Sequence, residues 1–161
     1  MKIKIGFGYD VHPLIDGPIL TLGGVDIPSG KTAAGHSDAD VLIHAICDAL
    51  LGAANMRDIG YQFPDTDNTY KNIDSKILLE KTVSLLHEKG YRIGNVDSTV
   101  CLQRPRIAKF IPQMISVLSQ CMKIDAEDVS VKATTTEKMG FVGRSEGISA
   151  YAVALIEKYE Q

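Results

Sequence analysis

The sequence predicts an α/β sandwich of the α+β kind, a mixed β-sheet with helices packed on one face, in a single domain spanning residues 1–161. Three observations lead there. Segments whose apolar residues recur at every second position are interspersed with segments whose apolar residues recur at helical spacing. Gly23-Gly24 separates two short apolar runs in the manner of a hairpin, so antiparallel pairing is mixed with crossovers. The 161 residues are 45% hydrophobic, enough for one core, and no Pro/Gly/Ser-rich linker divides them.

Taken in order, Ile3, Ile5, Phe7 and Tyr9 alternate with Lys2, Lys4, Gly6, Gly8 and Asp10, which predicts a half-buried strand with its apolar residues inward and Asp10 at its end. Ile19 to Ile27 reads as the hairpin. Ser37 or Asp38 can cap a helix running to about Leu51, with Gly52 as its stop. Asp58 to Asn68 is rich in turn residues. Asp74 or Ser75 opens a second helix, with Ile77, Leu78, Leu85 and Leu86 toward the core and Gly90 as terminator, and His87 on its surface. Val96, Ser98, Val100 and Leu102 alternate as a strand. A helix follows from about Ile111, with Pro112 tolerated in its first turn. Val129 to Ala133 is a short strand. For the final segment, Ile148, Tyr151, Ala152, Leu155, Ile156 and Tyr159 fit a helical period, although Ile148, Ala150, Ala152 and Ala154 also alternate. Periodicity favours helix there.

Charge and cysteine usage exclude several classes of function. A net charge of −3, with lysine and arginine scattered along the chain, argues against a nucleic-acid binder. Met1 to Ile5 alternates like a strand instead of forming a signal core, and no apolar run approaches the ~20 residues of a membrane span. Cys47, Cys101 and Cys121 are odd in number and sit in apolar contexts, as reduced thiols do. A soluble, cytoplasmic protein is expected.

Three of the four histidines fall in two short segments, Asp10-Val11-His12 and His36-Ser37-Asp38-Ala39-Asp40-Val41-Leu42-Ile43-His44. Asp10 and His12, two residues apart in a strand, share one face and can share one ion. His44 lies four residues from both Asp40 and Asp48 on an otherwise apolar helix. Two imidazoles and a carboxylate suit zinc better than magnesium, and three protein ligands leave one position open for substrate. The competing explanation is a hydrogen-bonded core histidine with an Asp-x-His pair brought there by chance.

A second candidate site is Ala133-Thr134-Thr135-Thr136-Glu137-Lys138, continuing to Gly147. It is too polar for a core element, yet it directly follows a buried strand. Three consecutive hydroxyls with their backbone N–H groups can hold phosphate oxygens, and Glu137 offers a hard oxygen ligand for magnesium. Lys138 and Arg144 add positive charge. The alternative is that the threonines mark a strand end and Arg144 pairs with Glu146 on the surface.

These segments, together with Asp58-Ile59-Gly60, Phe63-Pro64-Asp65-Thr66-Asp67 and Gly94-Asn95-Val96-Asp97, resemble the 2-C-methyl-D-erythritol 2,4-cyclodiphosphate synthase family over almost the whole length. The resemblance implies an enzyme, a phosphorus-oxygen lyase of non-mevalonate isoprenoid biosynthesis. Its substrate would be 4-diphosphocytidyl-2-C-methyl-D-erythritol 2-phosphate, whose 2-phosphate attacks the β-phosphorus and expels cytidine monophosphate. It further implies zinc on Asp10, His12 and His44, magnesium or manganese on Glu137, and transition-state stabilisation by His36 and Thr135. Asp10, His12, His36, Ser37, Asp58, Ile59, Gly60 and the Phe63, Pro64, Asp65, Thr66, Asp67 loop would contact substrate. Leu102, Gln103, Arg104, Pro105, Arg106, Ile107 and Ala108, with Thr134, Thr135, Thr136 and Glu137, would hold the cytidine. Arg104 departs from the small residue common in the family at that place.

The resemblance also implies a homotrimer with active sites between subunits, and an isoprenoid diphosphate on the threefold axis near Phe141, Arg144 and Glu146. It turns the final segment into a strand, against the periodicity. Two rival functions remain: a zinc-dependent phosphohydrolase using a metal-bound water, and a non-catalytic trimer that senses isoprenoid diphosphates.

Overall fold

Two glycines decide how the molecule is layered. In the computed structural model, which describes residues 2–159, the first strand β1 runs Lys2–Asp16, six residues beyond the expected Asp10. It alternates as predicted, but the buried face is the one bearing Gly6 and Gly8. Ile3, Ile5, Phe7, Tyr9 and Val11 point outward and are exposed. The cause is contact: a Cβ on Gly6 would stand 1.9 Å from the Ala49 carbonyl oxygen, and one on Gly8 1.9 Å from that of Ala45. Helix α1 (Val41–Ala53) therefore lies directly on β1, at a distance that only glycine permits.

Helix α1 is apolar nearly all round because it is covered on all sides, by the sheet beneath and by α3 (Ser75–Glu88) beside it. Its N-cap is Asp40, not Ser37 or Asp38. The buried Asp40 carboxylate accepts the N–H of Ile43 at 3.1 Å and those of Gly23 and Gly24 at 2.9 and 2.7 Å. One side chain thus caps the helix and fastens to it the turn between β2 (Ile19–Leu22) and β3 (Val25–Pro28), where both glycines have positive φ. Gly52 lies within the helix, which ends on Ala54.

The main sheet has the order β4-β1-β7-β5-β6. Its remaining strands are β4 (Lys31–Ala33), β5 (Tyr91–Cys101), β6 (Val129–Thr134) and β7 (Gly147–Lys158). β5 and β6 are parallel and the other pairs antiparallel, so the sheet is mixed as predicted. The final segment is its central strand. Periodicity misleads there because Ile148, Ala150, Ala152, Ala154 and Ile156 are buried under α1 while Tyr151 and Val153 keep an apolar outer face. A strand with two apolar faces mimics a helical period.

The helix between β5 and β6, α4 (Ile111–Met122), carries Pro112 in its first turn, as expected. Smaller corrections concern boundaries and faces. β5 begins at Tyr91, before Val96, and Leu102 lies beyond its end. β6 reaches Thr134. Along α3 it is Leu78, Leu79, Val83 and Leu86 that are buried, while Ile77 is exposed and Leu85 half-buried. Within Asp58 to Asn68, Ile59–Gln62 forms a single helical turn, α2, and Asn68–Tyr70 a 3-10 turn. No helix of the described residues is long and apolar enough to cross a membrane. Cys47, Cys101 and Cys121 are free thiols, and burial pushes that of Cys47 up to about 12.

Candidate functional site

Asp10 and His12 both lie on the inner face of β1, just past the two glycines, and His44 descends on them from α1. Asp10 Oδ2 is 2.9 Å from His12 Nε2 and 3.1 Å from His44 Nδ1, and the two ring nitrogens are 3.3 Å apart. Three donors of two types converge on one point, a cluster able to hold a metal ion. Asp40 and Asp48, one turn either side of His44, do not join it.

The far side of each imidazole decides which nitrogen enters the cluster. His12 donates from Nδ1 to the Ala34 carbonyl at 3.1 Å, which turns Nε2 toward Asp10. His44 Nε2 is 3.0 Å from Ser75 Oγ and 3.1 Å from Ser37 Oγ. Ser75 in turn donates its hydroxyl to Asp38, whose other oxygen accepts the Ser75 N–H at 3.0 Å. With Nε2 held by Ser75, Nδ1 is the His44 nitrogen turned to Asp10, so each ring presents one nitrogen to the cluster and is anchored through the other. Burial pushes the Asp10 carboxyl up, but hydrogen bonds with His12 and then His44 outweigh it and hold the group at about 2. A carboxylate ionised throughout the neutral range and two imidazoles turned to it make a donor set of the kind that fits zinc.

The cluster sits in a cavity of about 300 Å³ that also receives His36, Ser37, Ile59, Gly60, Phe63 and Asp65. Asp58, Pro64, Thr66 and Asp67 stand off its lining. Asp58 and Asp67 are occupied as caps, accepting the N–H groups of Tyr61 and Thr69, each at 2.9 Å.

The predicted nucleotide segment forms a different cavity. Leu102 to Ala108 line about 250 Å³ together with Ala133, Thr134 and Thr135. Thr135 Oγ1 donates to Glu137 Oε1 at 3.0 Å, and Thr136 Oγ1 donates to the Met139 carbonyl at 2.7 Å. Glu137 and Lys138 both have positive φ, a tight turn that carries the Glu137 carboxylate among exposed residues. Register across the sheet runs Asp10, Ala150, Val100, Ala133, which is three strand spacings, or about 14 Å. Within one chain, Glu137 and the threonines are therefore not brought to the metal cluster. Phe141 and Arg144 are exposed, and Arg144 pairs with Glu146 at 2.9 and 3.0 Å, the surface pairing that the sequence left open.

This arrangement has close relatives. The profile of the YgbB family matches residues 3–157. The chain belongs to the YgbB family. It is 64% identical over 158 residues to 2-C-methyl-D-erythritol 2,4-cyclodiphosphate synthase of Bacteroides thetaiotaomicron, covering 98% of this chain and 99% of that protein. It is 56% identical to the synthase of Cytophaga hutchinsonii, over 98% of this chain and 99% of that one. Among solved structures, IspF of Plasmodium falciparum in complex with CDP is 37% identical with a TM-score of 0.86, over 98% of this chain and 97% of that one. The bifunctional IspDF of Campylobacter jejuni is 38% identical with a TM-score of 0.94, over 99% of this chain and 43% of that one.

For this member of the YgbB family, the sequence reading missed the residues that orient the ligands. Ser75 and Asp38 look like ordinary cap residues, and the Ala34 carbonyl leaves no side-chain signal at all. Gly35 joins the cavity wall, as do Tyr70, Ile73 and Leu78 from the stretch that runs from the 3-10 turn into α3. Only the close grouping of His36, Ser37 and Asp38 ahead of the helix hinted at a supporting layer.

Proposed function

We propose that this protein converts 4-diphosphocytidyl-2-C-methyl-D-erythritol 2-phosphate to 2-C-methyl-D-erythritol 2,4-cyclodiphosphate with release of cytidine monophosphate. The observation that carries this reading is the Asp10, His12, His44 cluster opening into a cavity, with both imidazoles oriented by Ala34 and Ser75. A bare structural centre would be closed by four protein ligands. Membership of the YgbB family and the activity carried by its close relatives support the same conclusion.

Zinc on Asp10, His12 and His44, with magnesium or manganese on Glu137, would supply Lewis acids that withdraw charge from phosphate oxygens. The chain itself positions the reactants. An oxygen of the 2-phosphate forms a bond to the β-phosphorus as the bond from that phosphorus to the bridging oxygen breaks, and the electron pair leaves on cytidine monophosphate. The attacking phosphate is ionised near neutral pH, so no general base is needed. His36 at the cavity mouth and the Thr135 hydroxyl donate to the oxygens that gain charge. Ile59 and Gly60 hold the erythritol part, and Leu102 to Ala108 hold the cytidine. Arg104 and Arg106 in that wall favour a phosphorylated nucleotide.

Completion of the site requires more than one copy, and a homotrimer is the assembly we propose. The separation of the metal cavity from the nucleotide cavity supports this, because one subunit's cluster can then face its neighbour's Thr134 to Glu137. The outward apolar row of Ile3, Ile5, Phe7, Tyr9 and Val11, with Tyr151 and Val153 beside it, is a surface that such an assembly would cover.

Product analysis tests the activity. Incubation of purified protein with the diphosphocytidyl substrate, zinc and magnesium should yield equal amounts of cytidine monophosphate and cyclic diphosphate by phosphorus NMR. Linear hydrolysis products would instead identify a phosphohydrolase, and absence of turnover would favour the sensing role.

A further inference from the structure

Four residues after His44, the same helix carries a second acidic side chain that takes no part in the metal cluster. Asp48 Oδ1 accepts the backbone N–H of Ile59 at 2.8 Å. Ile59 opens the single turn α2, whose cap, Asp58, already spends its own carboxylate on the N–H of Tyr61. A turn of four residues has little cohesion of its own, so its placement depends on what grips it. Ile59 and Gly60 line the metal cavity, and Asp48 does not. Residues four apart lie on one helix face, one above the other. α1 thus holds the ligand His44 and the anchor of the opposite cavity wall on one rigid element.

The placement is electrostatically unfavourable for a group with no task. Burial pushes the Asp48 carboxyl up; the Ile59 N–H pulls it back, and the charges of Asp58 and Asp10 push it up further. An apolar residue there would avoid that cost but would leave the Ile59 N–H without its partner.

We infer that Asp48 is a positioning residue, which fixes the Ile59 and Gly60 wall at a set distance from the metal cluster and thereby orients the part of the substrate that lies beyond its diphosphate. This rests on the cyclodiphosphate synthase reading of the site. It also makes a division: Asp48 acts on the polyol end, whereas His44 acts on the phosphate end.

The test compares Asp48→Ala with Asp48→Asn in the metal-loaded protein. An asparagine oxygen can accept the same N–H, so Asp48→Asn should stay within about threefold of wild type. Asp48→Ala should raise KM for the diphosphocytidyl substrate about tenfold or more. Its zinc content should be unchanged, and its affinity for CDP, which lacks the methylerythritol, should stay within about twofold. Amide exchange in residues 58–63, followed by mass spectrometry without substrate, should accelerate in Asp48→Ala alone. An equal loss of CDP affinity, a fall in zinc content, or an asparagine variant as impaired as the alanine one would overturn the inference. Wild-type protein that releases no cyclic product in the same assay would overturn the proposed function instead, and the exchange result would still report whether Asp48 grips the turn.

Discussion

Ser75 stands between His44 and Asp38, and its hydroxyl settles which nitrogen of His44 faces the cluster. Removing such an oriented contact leaves the ligands in place but lowers metal affinity by about 10–100-fold. Ser75→Ala should therefore retain zinc at high concentration but lose it to a chromophoric chelator about 10–100-fold more readily. His44→Ala should fall below one ion per subunit by elemental analysis. Equal zinc affinity in Ser75→Ala and wild type would show that the Ser75 contact is incidental. The metal-free protein carries its own signature. Asp10 is held at about 2 against an ordinary 3.8, so the folded state binds that proton more weakly than the unfolded chain. The resulting stability is complete above pH 3.8 and is lost as pH falls through 2. For His44, burial lowers the affinity for a proton, but the hydrogen bond and charge of Asp10 outweigh it and raise the group above 6.5. Its contribution is complete below pH 6.5 and fades as pH rises. Urea midpoints of metal-free wild type should exceed those of Asp10→Asn most clearly between pH 3.8 and 6.5. A gap that widens below pH 3.8 would contradict that origin.

At the scale of elements, the contact between β1 and α1 governs where the ligands meet. Gly8→Ala would place a methyl 1.9 Å from the Ala45 carbonyl oxygen, backbone against backbone, with no side chain able to yield. Overpacking of this kind costs about 3 kcal/mol or more, and α1 would be pushed off the sheet with His44 on it. Gly52→Ala is the control, since its added methyl meets only Phe7 O at 4.0 Å and lies in a helix interior. There the substitution should stabilise by about 0.5–1 kcal/mol. Chemical denaturation of both variants decides the matter, and a Gly8→Ala protein as stable as wild type would mean that α1 does not lie so close. The strand character of β1 was legible in its alternation, and the hairpin in Gly23-Gly24. The cap of α1 was not, because Ser37, Asp38 and Asp40 are all good cap residues, and the choice fell to Asp40 through its bonds to a turn sixteen and seventeen residues away in sequence.

For the whole molecule, the outer face of β1 and β7 is the telling surface. Tyr9 and Tyr151 pack with ring centroids 5.0 Å apart and planes tilted by 43°, next to Phe7 and Val153, all exposed in the single chain. For the trimer proposed above, Phe7→Asp should leave the chain folded, because Phe7 is 63% exposed, and reduce the mass by light scattering from three chains to one. Cyclic product formation should be lost with it. An unchanged mass would place the subunit contact elsewhere.

The mixed sheet, the metal-capable trio Asp10, His12 and His44, and the hydroxyl-rich Thr134 to Glu137 segment were legible in the sequence, because these depend on local spacing and residue chemistry. Tertiary structure alone decided which face of β1 is covered, that the last segment is a central strand, that Ala34 and Ser75 hold the outer nitrogens of the two histidines, and that the two cavities lie about three strands apart. The reason is physical. Alternation tells which side chains share a face, whereas the face that is buried depends on a helix far along the chain approaching closely enough to require glycine beneath it.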